Sequence, residues 1–295
     1  MLLRLLIGAL MEGGDLQKNP WFVGFIMTPA IYGGIDFSFY WYFIHFIVIA
    51  IGLLGVWNLA YKLTQNTNLA WFAMLSLNLS GVINFDIIPY NDNYILVGCW
   101  AWAFYFFLCA INDNQKYWIG FAITMGIATM GKYSSLAFMG SVFLSSLFVP
   151  KVRASYCSPY FYIALVIWFA FVIPNFIWLW QTDFAAFKWV DSQIENRFNL
   201  RTTRAVLTVF YPIILMWVIL RLYGGRVSWS ASKDSQLLNF VLLFPLVIIF
   251  LSGLVFMKVD VSRNGYNPLC QLQLRFLWVQ SVSCLSVHCV VYCTV

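Results

Sequence analysis

Charged side chains are scarce in this sequence of 295 residues, because Asp, Glu, Lys and Arg together make up only 9% of it. A soluble domain carries about 25% charged residues, and 17 basic plus 11 acidic side chains are too few to cover a soluble globule of this length. The hydrophobic fraction is 62%, and the apolar residues form continuous runs without the alternation of barrel strands. The composition excludes a soluble enzyme and predicts an all-α, polytopic membrane helix bundle.

The sequence also lacks the motifs of several common enzyme classes. It contains no phosphate-binding Walker loop, no Gly-x-Ser-x-Gly elbow and no His-Glu-x-x-His zinc motif. Its seven cysteines do not form a disulfide framework, since Cys99 and Cys109 lie in an apolar run and four others crowd into the C-terminal tail. The pairs Cys284/His288 and Cys289/Cys293 begin on partly different helix faces, so we predict no metal or other cofactor.

A membrane-spanning helix needs about 20 mainly apolar residues. The sequence offers such runs at 39–60, 69–85, 94–111, 159–180, 205–222 and 237–256. The stretch 118–149 would be about 48 Å long as one helix, which exceeds a hydrocarbon core of about 30 Å. Gly131-Lys132 interrupts it. Either one tilted helix crosses here, or two short helices meet at Lys132, which would give about eight membrane helices, some of them short.

The distribution of charge favours two short helices. With two helices, the loops 61–68, 112–117, 150–158 and 221–236 fall on one side and hold seven basic residues against two acidic ones, while the other nine acidic residues fall on the opposite side. Short cytoplasmic loops of membrane proteins concentrate Lys and Arg. The sequence therefore predicts that these four loops are cytoplasmic and that the opposite end of the bundle is extracytoplasmic.

Lys132 is the most informative cation, because it lies in Thr-Met-Gly-Lys-Tyr-Ser-Ser-Leu between two apolar stretches. An ionisable residue at membrane depth is costly and marks a functional site by default. Its side chain could hold a phosphate or orient a carboxylate, or it could merely anchor a helix turn by extending to the membrane surface. Lys18, beside a Pro-Trp turn, offers two alternatives as well: a surface anchor or a ligand of a lipid phosphate.

Two aspartates and one histidine near the predicted spans have distinct expected roles. Asp92 precedes the span 94–111, with Asp86 six residues earlier. Asp92 could cap the helix, or it could be a functional carboxylate at the membrane surface. His45 lies alone inside a span and is predicted to be a hydrogen-bonded packing residue.

The loop 181–204 has the pattern of an interfacial helix near 183–199. Phe184, Phe187, Val190, Ile194 and Phe198 recur at three- and four-residue spacing, with charged residues such as Arg197 between them. The segment could brace the membrane surface, or it could form a lid over a cavity that faces the lipid.

Three short motifs between residues 50 and 190 resemble those of a family of integral-membrane glycosyltransferases. Tyr90-Asn91-Asp92 opens a span, and Gly131-Lys132-Tyr133-Ser134 joins two short helices. The third motif is the run Pro174, Trp178, Gln181, Phe184 and Phe187. In order and spacing they are similar to the aminoarabinose-transferase-like and protein-mannosyltransferase-like enzymes, which have the GT-C fold and use polyprenyl-phosphate sugars.

The resemblance implies transfer of a sugar from a polyprenyl-phosphate donor to a lipid or protein acceptor, on the extracytoplasmic face of the cell (inner) membrane. The expected partners are membrane lipid and this donor, with no nucleic acid. The site residues that it implies are catalytic Asp92 and Asp86, lipid-phosphate-binding Lys18 and Lys132, and supporting Tyr133, Gln181 and Arg197.

The sequence departs from that family at both ends. Relatives carry an Asp-Glu pair ahead of a turn that Gln17-Lys18-Asn19-Pro20 resembles, and no such pair precedes the turn here. After Lys258 the sequence becomes rich in Val, Ser, Cys and Gln. We therefore expect an outer segment at 1–38, truncated at the N-terminus, a helix bundle at 39–256 and a divergent tail at 257–295.

These departures leave two functional classes open. The first is a transferase, which we expect to be inactive or very weak in the chain as written while still retaining lipid. The alternative is an inactive relative that binds a lipid carrier or serves as a partner subunit.

Overall fold

The computed structural model describes residues 20–77, 93–133 and 135–184, and beyond them residues 188, 218, 222, 226–227 and 293–294. The three long ranges contain eight helices: α1 Phe22–Gly33, α2 Phe37–Thr64, α3 Thr67–Ser76, α4 Asn93–Asn112, α5 Tyr117–Gly131, α6 Ser135–Phe148, α7 Pro150–Ser155 and α8 Pro159–Gln181. The β-structure of the described residues is one antiparallel pair of two-residue strands, β1 Arg226–Val227 and β2 Cys293–Thr294. The all-α bundle is confirmed.

Three of these helices are long and apolar enough to cross a membrane: α2, α4 and α8. They correspond to the predicted spans 39–60, 94–111 and 159–180, and they confirm an integral membrane protein. The predicted spans 205–222 and 237–256 lie outside the described residues, apart from the single residues 218 and 222. Within the described bundle α4 is the central helix, because 78% of its apolar window is buried against 17% for α8.

Local sequence sets where the long helices begin and end. Asp36 caps α2, because its side chain accepts a hydrogen bond from the Phe39 amide at 2.7 Å. Ser158 caps α8 in the same way through the Tyr160 amide. At the far end of α8 the Phe184 amide donates to the Leu179 carbonyl at 2.8 Å, and Asp183 takes the left-handed conformation, with φ 49°. This arrangement is a Schellman motif, in which the left-handed residue after the helix is usually glycine and is here aspartate.

Helices α2 and α4 run parallel and in close contact. Trp41 of α2 packs on Tyr94 near the start of α4, with ring centroids 5.5 Å apart. Gly52 lies against the backbone of Val97, and Gly98 lies against Val48. Small residues let two membrane helices approach each other closely, so these two glycines set the separation of α2 from α4.

Helix α5 runs antiparallel to α4 and parallel to α8. The Trp118 ring, at the start of α5, lies 5.8 Å from Phe107 in the second half of α4 and 5.1 Å from Phe161 near the start of α8. At the other end of α5, Gly131 faces Ile95 of α4. The end of α5 therefore lies beside the start of α4.

Polar contacts gather three connecting segments at one end of the bundle, here called the basic end and defined by Lys62, Asn112, Asp113 and Lys151. Lys62 Nζ lies 2.6 Å from Asp113 Oδ2, and Lys151 Nζ donates to Asn112 Oδ1. The predicted sharing of one end by the loops 61–68, 112–117 and 150–158 is therefore confirmed. The fourth loop, 221–236, lies almost entirely outside the described residues.

The basic end and the opposite end should differ in accessibility to a membrane-impermeant thiol reagent. We expect single cysteines at Lys116 and Lys151 to be labelled from the same side of the membrane, and a cysteine at Lys188, beyond the end of α8, from the other side. The seven native cysteines must first be replaced, including the exposed Cys157, which lies at the basic end. Labelling of Lys116→Cys and Lys188→Cys from the same side would contradict this arrangement.

Candidate functional site

A short break between α5 and α6 carries Lys132. Helix α5 ends at Gly131, Lys132 is extended (φ −160°, ψ 129°), and α6 begins at Ser135. The predicted pair of short helices is therefore confirmed. With 15 and 14 residues they are about 22 and 21 Å long, less than a hydrocarbon core of about 30 Å. We call Gly131, Lys132, Tyr133 and Ser135 the Lys132 turn.

The Lys132 turn lies farther into the bundle than the first turn of α2. Gly131 faces Ile95 of α4, and the neighbouring Tyr94 packs on His45, with ring centroids 4.4 Å apart. His45 lies eight residues into α2, which is about 12 Å along the helix axis. A ligand at the turn would therefore be recessed between helices.

Hydrogen bonds hold the Lys132 turn in one conformation. The Lys132 amide and the Ser135 hydroxyl both donate to the Ala128 carbonyl, each at 2.9 Å. The Ser135 amide donates to the Lys132 carbonyl at 3.0 Å, and the Trp100 indole of α4 donates to Ser135 Oγ at 3.4 Å. The Ala128 carbonyl thus accepts both the last i→i−4 bond of α5 and the Ser135 hydroxyl, which ties the start of α6 to the end of α5.

Tyr133 connects the turn to α8. Its phenolic oxygen lies 2.9 Å from Nδ2 and 3.4 Å from Oδ1 of Asn175, so the amide group donates to the phenol. Asn175 is 5% exposed. The phenolic hydroxyl can both accept this hydrogen bond and donate one of its own.

The Lys132 side chain is inside the protein. It is 4% exposed, and it is the one buried Lys, Arg, Asp or Glu side chain among the described residues. This burial disfavours the alternative of a lysine that extends to the membrane surface. A buried ammonium group is stable only beside anions or hydrogen-bond acceptors, so the position suits a phosphate or a carboxylate.

His45 belongs to a buried aromatic cluster beside this site. It is 1% exposed, and its ring lies 6.0 Å from that of Trp41 in addition to the contact with Tyr94. These ring contacts confirm the packing part of the prediction, and the predicted hydrogen bond stays a prediction.

The structure brings together only part of the predicted site. Lys132 and Tyr133 lie on the same turn, whereas Gln181 is the last residue of α8 and is exposed. Gln181 follows Asn175 by six residues, about 9 Å along the helix and two-thirds of a turn around it, so it is not on the face that meets Tyr133. The other predicted site residues, Lys18, Asp86, Asp92 and Arg197, lie outside the described residues.

Sequence analysis missed Asn175 and Ser135 at this site. The signal for Asn175 was present, since an amide side chain in an otherwise apolar span usually makes a contact inside a helix bundle. Ser135 gave no such signal, because serine at a helix end is common. Its role depends on the position of Trp100, which is 35 residues distant in the chain.

The family model described as dolichyl-phosphate-mannose-protein mannosyltransferase matches residues 19–178, which is more than half of the chain. The chain belongs to this family. The mannosyltransferase family is of the GT-C type and implies a membrane glycosyltransferase activity, in agreement with the resemblance on which the sequence analysis relied. No curated protein and no solved structure matches the chain.

The matched range contains the Lys132 turn and its partner on α8. Lys132, Tyr133, Ser135 and Asn175 all lie within residues 19–178. Of the other predicted site residues, Lys18 precedes the matched range, and Gln181 and Arg197 follow it. The matched range therefore includes the buried turn and does not include those three residues.

Proposed function

We propose that the protein transfers a sugar from a polyprenyl-phosphate donor to a lipid or protein acceptor, at the Lys132 end of the bundle and on the extracytoplasmic face of the inner membrane. The observation that carries this proposal is the buried Lys132 on a fixed, recessed turn. The family description, which names a sugar carried on a lipid phosphate, supports the same class of donor.

The chemistry requires a cation at the departing phosphate. When the anomeric carbon leaves the donor, negative charge grows on the lipid phosphate, and a positioned cation in a site of low dielectric stabilises that charge. Lys132 takes this role in the proposal, with Lys18 as a second phosphate ligand. A carboxylate, Asp92 or Asp86, acts as base toward the acceptor. Asp92 directly precedes α4, three residues before Ile95, which faces the Lys132 turn.

The extracytoplasmic assignment rests on charge. The basic end holds Lys62, Lys116, Lys151 and Arg153 on short connections, as is typical of cytoplasmic loops. The Lys132 turn lies at the opposite end. A lipid-linked donor suits this face, because a polyprenyl chain keeps the donor in the membrane beside the recessed turn.

Binding of free polyprenyl phosphate to the purified chain in lipid nanodiscs tests the role of Lys132. We expect Lys132→Ala to raise the Kd about 10- to 100-fold, because a hydrogen bond to a charged group contributes about 1.5–3 kcal/mol. Lys151→Ala, which removes a lysine at the basic end, is the matched control and should leave the Kd unchanged. An unchanged Kd for Lys132→Ala would exclude it as a phosphate ligand.

Transfer itself needs a second measurement. A radiolabelled polyprenyl-phosphate sugar should label a membrane lipid or protein acceptor at a very low rate, and a nucleotide sugar should not label it at all. Retention of lipid phosphate with no detectable transfer would favour the alternative, an inactive relative that binds the lipid carrier or serves as a partner subunit.

A further inference from the structure

We propose that Asn175 of α8 is a positioning residue that acts through Tyr133 to aim Lys132 at the lipid phosphate. This inference rests on the proposed function and extends it to a residue that does not itself touch the ligand. Its physical basis is the hydrogen bond between Asn175 and Tyr133, which joins α8 to the turn that carries Lys132.

The backbone of the turn couples Tyr133 to Lys132. Tyr133 directly follows Lys132, so the hydrogen bond that holds the Tyr133 ring against α8 restricts how the adjacent Lys132 can reorient. The bonds to the Ala128 carbonyl tie the turn to α5, and the contact of Tyr133 with Asn175 adds the anchor on α8.

Asn175 is suited to this role by its burial and by its place on the face of α8 that meets the turn. An amide placed in an apolar span costs free energy unless it is paired, and here it pairs with a group on the turn. Trp168 of α8 makes a different hydrogen bond, to α5, from its indole to Thr129 Oγ1 at 3.4 Å. That contact lies about two turns of α8 away and involves no residue of the Lys132 turn.

These two contacts permit a matched comparison. Asn175→Leu removes the bond to the turn while keeping the volume of the side chain, and Tyr133→Phe removes it from the other side. Thr129→Val removes the Trp168 contact and serves as the control for a purely structural link between α5 and α8. Each variant is measured for thermal stability and for the Kd of polyprenyl phosphate, in nanodiscs and with the whole chain.

We expect Asn175→Leu and Tyr133→Phe each to raise the Kd about 3- to 10-fold, and the double variant to raise it no more than the stronger single one, because the two residues act as a unit. Thr129→Val should lower the unfolding temperature and leave the Kd unchanged. Inorganic phosphate, used as a competitor, distinguishes recognition of the headgroup from recognition of the lipid chain.

Three results would overturn the inference. In the first, Asn175→Leu lowers the unfolding temperature but leaves the Kd unchanged, as Thr129→Val is expected to do. Another is additive effects of Asn175→Leu and Tyr133→Phe. The third is that Asn175→Leu raises the Kd by the same factor in the Lys132→Ala chain as in the wild-type chain.

If the Asn175→Leu protein does not accumulate, Asn175→Ser takes its place, because serine is too short to reach the phenol. A failure of Lys132→Ala to alter the Kd would instead refute the proposed function.

Discussion

Replacement of Gly52 by alanine is expected to force α2 away from α4 and to cause the largest loss of stability among single methyl additions in the described bundle. A Cβ at Gly52 would overlap the carbonyl group of Val97, with its carbonyl carbon 2.8 Å away. The obstacle is backbone, so no side-chain rotation relieves it. We expect a cost at the upper end of about 1–3 kcal/mol, measured as the fall in unfolding temperature in detergent.

Gly140 of α6 supplies the control for this prediction. Among the described residues, no atom outside the neighbouring backbone of α6 lies within 4 Å of a Cβ built at Gly140, and alanine is more favourable than glycine inside a helix by about 1 kcal/mol. Gly140→Ala should therefore leave stability unchanged or raise it. Equal behaviour of Gly52→Ala and Gly140→Ala would show that α2 and α4 are not held in close contact.

The contrast between these two glycines shows what the sequence could and could not predict. Spans, their ends and the break at Gly131-Lys132 follow from hydropathy and length, and they agree with α2, α4, α8 and the turn. The distribution of charge predicts that the short loops lie at the same end of the bundle, and the ion pair between Lys62 and Asp113 joins two of them there. Neither hydropathy nor charge distinguishes Gly52 from Gly140, because the difference lies in which helix each one faces.

Some residues of the candidate site could likewise be predicted from the sequence, and others could not. Lys132 was predictable because a cation between apolar stretches is unusual on its own. The contact of Asn175 with Tyr133 joins residues 42 positions apart, and no spacing rule relates them. The position of α8 beside α5, fixed by packing such as Phe171 against Gly126, brings these two residues together.

Gly131→Ala is the second substitution with a large expected effect, and it acts on the site as well as on stability. A Cβ at Gly131 would lie 2.6 Å from Cγ2 of Ile95, and Ile95 is buried with a β-branched side chain that is stiff about χ1. Relief must come from the Lys132 turn moving away from α4. We therefore expect the Kd for polyprenyl phosphate to rise about tenfold or more, equivalent to about 1.4 kcal/mol.

Because the obstacle at Gly131 is a side chain, a second substitution can remove it. Leucine at position 95 keeps the volume of isoleucine but lacks Cγ2, and such swaps cost less than about 1.5 kcal/mol. Gly131→Ala combined with Ile95→Leu should recover most of the lipid-phosphate affinity, whereas Ile95→Leu alone should change it little. Gly140→Ala should not alter it. If the double variant binds as weakly as Gly131→Ala, the contact with Ile95 does not place the turn, and the link from α4 to Lys132 is wrong.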